Sequence, residues 1–326
     1  MRILVLGGGG FVGRAVAELG VARGDDVTVF HRGRRDPVAG TRVLTGDRLA
    51  PGGLAALRDG TWDVVVDTWS ADAAAVRDAA ALLRGRAGHF SYVSSRSVYH
   101  YDETAPPSPV PVAEDAPVVA GDVPGYAGDK LRGERAAEAF GGPLLLARAG
   151  LIVGPHEDIG RLPWWLNRLR RGGPTLAPGP RTLPVQWVDA RDLAAFLLDA
   201  GAAGHTGAFN VVSEPGFTTI GEILDTGNEI TGGRADLRWL APERILAAGV
   251  RQWTDLPIWL APGPLHGFLH DGDVSRAIAA GLRCRPARET IADTWAWLRS
   301  LPGDAPVRPD RPPVGLDPEV EAKLLA

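Results

Sequence analysis

The feature that most constrains this chain is its start. Arg2-Ile3-Leu4-Val5-Leu6 is an apolar run of strand length, and it stops at Gly7-Gly8-Gly9-Gly10-Phe11-Val12-Gly13. A continuous apolar run predicts a strand buried on both faces, as in a parallel sheet. A helix over 11–22 follows directly. Glycines at 7, 10 and 13 supply a tight turn, a backbone that a diphosphate can approach, and close helix-to-strand packing, and the backbone N–H groups of Phe11, Val12 and Gly13 open the helix toward the anion. The strand-turn-helix context carries this reading, because a chain with 42 glycines meets the spacing easily. The expected ligand is a dinucleotide.

Strand-like runs at 26–30, 42–45, 62–68, 89–95 and 143–148 alternate with helical stretches such as the alanine-rich 71–83. That alternation predicts an α/β fold, a Rossmann-type doubly wound parallel sheet covered on both faces. Beyond about residue 156 the texture changes: six of the ten tryptophans fall between Trp164 and Trp259, and proline and glycine are frequent. A smaller, mixed C-terminal substrate lobe is expected. The strand-like Pro184–Asp189 and 207–212 still resemble the first part. The expected division is 1–155 plus 184–213 for the dinucleotide-binding domain, 156–183 plus 214–302 for the substrate lobe, and 303–326 for a tail. That tail is a proline-rich linker with a short terminal helix, capped by Asp317 with Pro318 in its first turn. The stretch 101–125, dense in Pro, Asp and Glu, is expected to be a lid or substrate wall.

The second strand runs into His31-Arg32-Gly33-Arg34-Arg35, where an NAD-preferring fold places an acid on the ribose 2′-hydroxyl. That acid is missing and the arginines, Arg32 first, suit a 2′-phosphate, so NADP is favoured over NAD. Asp47 is placed to accept from the adenine amino group. Ligands of such sheets sit at the carboxyl ends of the strands, where Trp69, Ser94 and Ser95 fall.

Tyr126 and Lys130 stand four apart at the start of a predicted helix and therefore share a face. The chain holds only two lysines, Lys130 and Lys323, among many arginines. An ammonium approaches a phenol and a sugar hydroxyl together more readily than a planar guanidinium does. A free phenol has a pKa of about 10, so a tyrosine base needs a neighbouring cation, which Lys130 supplies.

Together these residues resemble the extended short-chain dehydrogenase/reductase family in its epimerase/dehydratase-like branch. The glycine turn, Asp47, the run from Val93 to Tyr99, Tyr126 with Lys130, Arg148 with Gly150, Gly154-Pro155, the run from Val188 to Ala194 and Phe209-Asn210 occur in family order up to about residue 300. The resemblance implies a catalytic triad of Ser95, Tyr126 and Lys130, with Ser97 as the alternative hydroxyl. It also implies a cofactor groove that takes in Thr68, Trp69, Ala149 and Ile152. Arg96, Ser97, His156, Trp164 and Trp187 are the substrate candidates, the tryptophans as flat walls. Nucleotide-sugar members carry an asparagine after strand six and an arginine before the Asp-Leu-Ala helix; the sequence has neither, which argues against a UDP- or dTDP-sugar.

A net charge of −4 without long runs of one sign argues against nucleic acid or an anionic membrane as partner. A small-molecule substrate is expected, with a homodimer as the candidate assembly. The single Cys284 and an N-terminus that enters a strand at once predict a cytoplasmic protein. His266 and His270 have no third ligand in view, so no metal is expected. Three readings follow: an NAD(P)(H)-dependent oxidoreductase on a ketone or secondary alcohol of a small non-nucleotide substrate, an epimerase or dehydratase of a sugar-like substrate that retains its cofactor, and a catalytically silent binding protein of the same fold. Arg96 and Ser97 supply no acid pair beside Ser95, which tilts against dehydration.

Overall fold

The computed structural model describes residues 1–34, 36–102 and 111–326. In chain order its first elements are β1 (Arg2–Leu6), α1 (Phe11–Ala22), β2 (Asp26–His31), β3 (Arg42–Thr45), β4 (Trp62–Asp67), α2 (Ala73–Leu83), β5 (Ala87–Ser95), α3 (Tyr126–Ala137) and β6 (Leu144–Ala149). After these come β7 (Leu151–Val153), α4 (Arg161–Arg171), β8 (Gly173–Pro178), β9 (Pro184–Val185), β10 (Trp187–Asp189), α5 (Ala190–Ala202) and β11 (Gly207–Val211). Among the described residues, β3-β2-β1-β4-β5-β6-β11 form one seven-stranded sheet in that order, every pair parallel. The order reverses between β1 and β4, and a crevice opens there at the carboxyl ends.

The period of two along the strands decides which helices cover which face. Ile3, Val5, Val64 and Val66 join a buried cluster with residues of α1 and α5. Leu4, Leu6 and Val65 point the other way, into a cluster with α2 and with Ala137 of α3. Helix α2 starts two residues later than expected because the Asp72 side chain accepts the Ala74 N–H and caps it there.

The remaining elements are β12 (Thr218–Thr219), α6 (Ile220–Thr231), β13 (Ala235–Leu240), α7 (Pro242–Ala247), α8 (Pro264–His270), α9 (Ser275–Ala279), α10 (Ala287–Ser300) and α11 (Pro318–Leu325). They build a smaller lobe of helices and two-stranded pieces around a second core that holds Trp165, Trp187, Trp259 and Trp295. Strand β10 pairs with β7 outside the main sheet, while α5 returns to the sheet and β11 extends its edge.

The tail is part of that second core. Leu316 and Leu324 are buried in it. Glu321 of α11 accepts from Arg168 Nε at 2.7 Å and from the Leu176 N–H at 3.0 Å, and both charged partners are buried. Residues 103–110 of the expected lid, and Arg35, lie outside the described residues. From 111 onward the stretch is tied elsewhere: Val112 exchanges backbone hydrogen bonds with Asp271 and Asp273.

Because removing one partner strands a buried charge, Glu321→Ala should destabilise the protein by about 3 kcal/mol or more, read from urea unfolding. Arg168→Met with Glu321→Leu together should recover most of that loss.

Candidate active site

A cavity of about 1020 Å³ runs across the carboxyl ends of the strands. That is the upper end of the roughly 300–1,000 Å³ typical of a small-molecule site, enough for a dinucleotide and a small second ligand. One arm begins at the glycine turn. Gly7 has φ +102°, and a Cβ there would stand 2.3 Å from Thr68 Oγ1; a Cβ on Gly13 would stand 2.4 Å from the Gly7 carbonyl oxygen. A side chain at Gly7 would therefore clash with Thr68, and one at Gly13 would push α1 off the turn that follows β1. Helix α1 has no side-chain cap and no acid in its first turn, so its free N–H groups face the cavity with the positive end of the helix. This uncapped end fits a diphosphate.

Gly7, Gly10, Phe11, Val12 and Gly13 line this arm, and His31, Arg32, Arg34 and Asp47 line its far end. His31 Nδ1 accepts the Gly33 N–H at 2.9 Å, which places the ring proton on Nε2. That Nε2 is buried without a partner. The Asp47 carboxylate accepts the Leu49 N–H at 3.0 Å. Thr68, Trp69, Ala149 and Ile152 line the middle. Beneath Trp69 the buried Arg48–Asp67 pair is bidentate, both bonds 2.7 Å, and the guanidinium carbon lies 5.1 Å from the indole centroid.

Ser95, Ser97, Tyr126 and Lys130 converge at the other arm. Ser95 Oγ donates to Ser97 Oγ at 3.1 Å and accepts the Ser97 N–H, so the two hydroxyls form one polar patch. Tyr126 is 38% exposed, into the cavity, at the first position of α3. Lys130 is buried: Nζ donates to Val93 O at 2.6 Å and Trp69 O at 2.8 Å, and it lies 4.9 Å from the Tyr92 ring centroid. Burial pushes its ammonium down to about 7, against the pull of Asp67 and Glu134. Tyr92 cannot substitute as the base, since burial raises its phenol well above 10 and its hydroxyl donates to Trp69 O. Ser94 faces α3 and donates to Glu134 Oε1 at 2.6 Å, while Arg148 holds the same carboxylate by two bonds of 3.0 Å.

The substrate candidates separate. Ser95 and Ser97 face the cavity. Arg96 reaches its wall, but its guanidinium is buried and donates to Leu269 O, Phe268 O and Gln186 Oε1, so it braces α8. His156, Trp164 and Trp187 do not line the cavity. His156 packs against Trp297, with ring centroids 5.2 Å apart. Trp164 stands edge-on to Trp165 with Gly315 against its indole nitrogen, and Trp187 is buried in the second core. Tryptophan's large apolar surface drew these rings inward.

Other residues close this arm: Asp158, Arg161, Trp253, His270 and, from the tail, Arg308 to Pro312 with Val314. None of residues 111–125 lines it, so among the described residues the far wall comes from the tail and not from the expected lid. The arginines of Arg308-Pro309-Asp310-Arg311 were the available signal, but proline density points equally to a solvated linker. No group of three or more potential metal-binding side chains occurs among the described residues, and no helix among them is long and apolar enough to cross a membrane.

An uncapped glycine-turn helix on a parallel sheet, opening into a cavity with a tyrosine-lysine pair, defines an NAD(P)-binding oxidoreductase-type enzyme. Residues 3–211 match the model of the NAD dependent epimerase/dehydratase family, and the chain belongs to that family. Among solved structures it is similar to the Bordetella bronchiseptica enzyme WbmH in complex with NAD+ (21% identity, 92% of this chain and 98% of that one covered, TM-score 0.67). It is also similar to UDP-N-acetylglucosamine 4-epimerase from Bacillus cereus (17%, 93% and 98%, TM-score 0.69). A third is B. bronchiseptica WbmG in complex with NAD and UDP (20%, 91% and 93%, TM-score 0.65). At these identities the likeness is one of fold. No curated protein matches the chain.

Glu157, fully buried beside this arm, accepts the Arg161 N–H at 2.7 Å and the Leu162 N–H at 3.2 Å. Burial nevertheless raises its carboxyl from 4.5 to about 7, which at about 1.4 kcal/mol per unit is on the order of 3 kcal/mol. The folded-state value lies above the unfolded one, so the group's contribution is fully present below pH 4.5 and is lost as pH rises through about 7. Glu157→Gln should therefore gain on the wild type as pH rises over that window, measured as a pH-dependent difference in Tm; a difference constant from pH 4.5 to 8 contradicts this.

Proposed function

We propose that the protein is an epimerase-type oxidoreductase that acts on a sugar-like substrate and keeps its NAD(P) bound through the cycle. The observation that carries this reading is that the glycine turn, Tyr126, the second lobe and the tail line one continuous cavity, with room for cofactor and substrate side by side. The nicotinamide, when bound, supplies reversible hydride transfer at the substrate carbon. The chain's own residues handle the oxygen on that carbon. Ser95, on turning its hydroxyl away from Ser97, donates a hydrogen bond to that oxygen, and Tyr126 removes its proton during oxidation and returns it during reduction. Lys130, pinned by two carbonyls, orients this end of α3 and offers its third N–H to a ribose hydroxyl or to the phenol. Gly7, Gly10 and the start of α1 hold the diphosphate, and Asp47 receives the adenine.

The similar B. bronchiseptica enzymes were solved with NAD, one of them also with UDP, and the B. cereus enzyme is a UDP-N-acetylglucosamine 4-epimerase, which supports a sugar substrate. A reductase acting on a small non-nucleotide ketone is the second reading, favoured by the sequence's lack of the two nucleotide-sugar anchors. The cofactor is proposed to be NADP in preference to NAD. What supports this is that His31, with its buried and unpartnered Nε2, Arg32 and Arg34 line the end of the cavity beyond β2, where the sequence leads one to expect the 2′ position.

Heat-denatured, freshly purified protein should release close to one equivalent of NAD(P), and activity toward sugar substrates should proceed without net NADPH consumption. A protein that purifies empty and consumes NADPH stoichiometrically is instead the reductase. Tyr126→Phe should lower turnover by roughly 10²–10⁴-fold with little change in cofactor affinity. Arg32→Ala should weaken NADP binding by roughly tenfold or more and leave NAD nearly unchanged, as expected for loss of a charged hydrogen bond; equal effects on both remove the NADP assignment.

A further inference from the structure

The tail does more than close the cavity. The Arg311 guanidinium lies over the Tyr126 ring, 4.7 Å from its centroid, and Arg161 reaches the same arm over the Trp253 ring at 5.5 Å. Neither guanidinium has a carboxylate or hydrogen-bond partner among the described residues, and Arg311 Nε is buried without one. Both guanidiniums line the cavity arm that holds Tyr126. Nearby acids attract them, Glu157 acting on Arg161 and Asp310 on Arg311, but close no ion pair with either among the described residues. Asp310 is held by Arg308 through bonds of 3.0 and 2.6 Å, and the Asp158 charge acts on Arg308. The Glu157 carboxylate faces the backbone N–H groups that start α4. Two guanidiniums that close no ion pair among the described residues, one with a buried and unpartnered Nε, suit an anion, and a planar fork of N–H donors suits a bidentate oxyanion.

We propose that Arg161 and Arg311 form a subsite for an oxyanion carried by the substrate, a carboxylate or a phosphate, and that the tail thereby contributes a specificity-determining residue to the active site. The inference rests on the proposed reading that Tyr126 meets the substrate, and it narrows that reading to acidic or phosphorylated sugar-like compounds. The anion sits beside the phenol, so it fixes which hydroxyl of the substrate faces Tyr126. The tail is locked to the second lobe through Glu321 and Leu316, which places Arg311 before any ligand arrives.

The test is calorimetric titration of the full chain, saturated with NADP, with inorganic phosphate and separately with acetate. The wild type is compared with Arg311→Gln, Arg161→Gln, Arg311→Lys and, as a distant control, Arg238→Gln. At least one anion should bind the wild type, with affinity falling tenfold or more in each Gln variant of the pair, partly restored in Arg311→Lys and unchanged in Arg238→Gln. Preference for phosphate or for acetate identifies which oxyanion the substrate carries. Absence of saturable binding, or binding indifferent to Arg311, overturns the subsite; the latter is the result expected of an anion held only at the start of α1. If the Gln variants lose their cooperative thermal transition, the wild-type titration and Arg311→Lys carry the decision. Cofactor released from the same purified samples is quantified in parallel. Retained cofactor without anion binding removes the subsite and leaves the functional reading standing, whereas anion binding in a chain that purifies empty does the reverse.

Discussion

The site depends on how one ammonium is buried. Lys130 lies almost wholly out of solvent with its nitrogen between the carbonyls of Val93 and Trp69, one at the end of β5 and the other just past β4. Removing a cation from water is expensive, and those oxygens with the Tyr92 ring are what meet that cost. Since the carbonyls belong to two neighbouring strands, the lysine ties the start of α3 to the sheet edge where the crevice opens. Tyr126, one turn earlier, is thereby held at the mouth of the cavity, and Ser95 at the end of β5 comes to the same place.

A second set of buried charges reinforces that arrangement. Glu134, one turn beyond Lys130, takes hydrogen bonds from Ser94 and Arg148, so α3 is braced along its length to both β5 and β6. On the other side of the cavity, Arg168 and Glu321 lock the tail to α4. The binding surface between them is therefore built from two rigid supports that are distant in sequence. Between those supports Arg311 lies over the Tyr126 ring with its Nε buried and unpartnered, which is the feature on which the proposed anion subsite rests.

Much of this was legible in the residues. Apolar runs of strand length and the glycine turn identify the sheet and its first helix because burial on both faces and close backbone approach leave their marks within a few residues. The Tyr126–Lys130 spacing located the start of α3, and all the residues expected in the cofactor groove line one arm of the cavity. Aromatic residues misled. Trp164 and Trp187 offer the same surface to a substrate as to a core, and nothing local distinguishes the two. Arg96 misled for a related reason: its place beside Ser95 suggests substrate binding, but its guanidinium is taken up by carbonyls of α8 some 170 residues away. The proline-rich tail, by composition a linker, is the far wall of the site.

The sequence by itself determined the parallel α/β architecture, the glycine turn that lines one arm of the cavity and the pair of residues at the start of α3, because periodicity, turn chemistry and helical spacing are short-range properties. Only the tertiary structure decided what lines the other arm of the cavity. Arg311 reaches Tyr126 because Glu321 pairs with Arg168, a contact spanning 153 residues, and because Leu316 finds a core made by other elements. Such contacts depend on which surfaces remain uncovered once the sheet and its helices have packed, and no local pattern in the chain encodes that remainder.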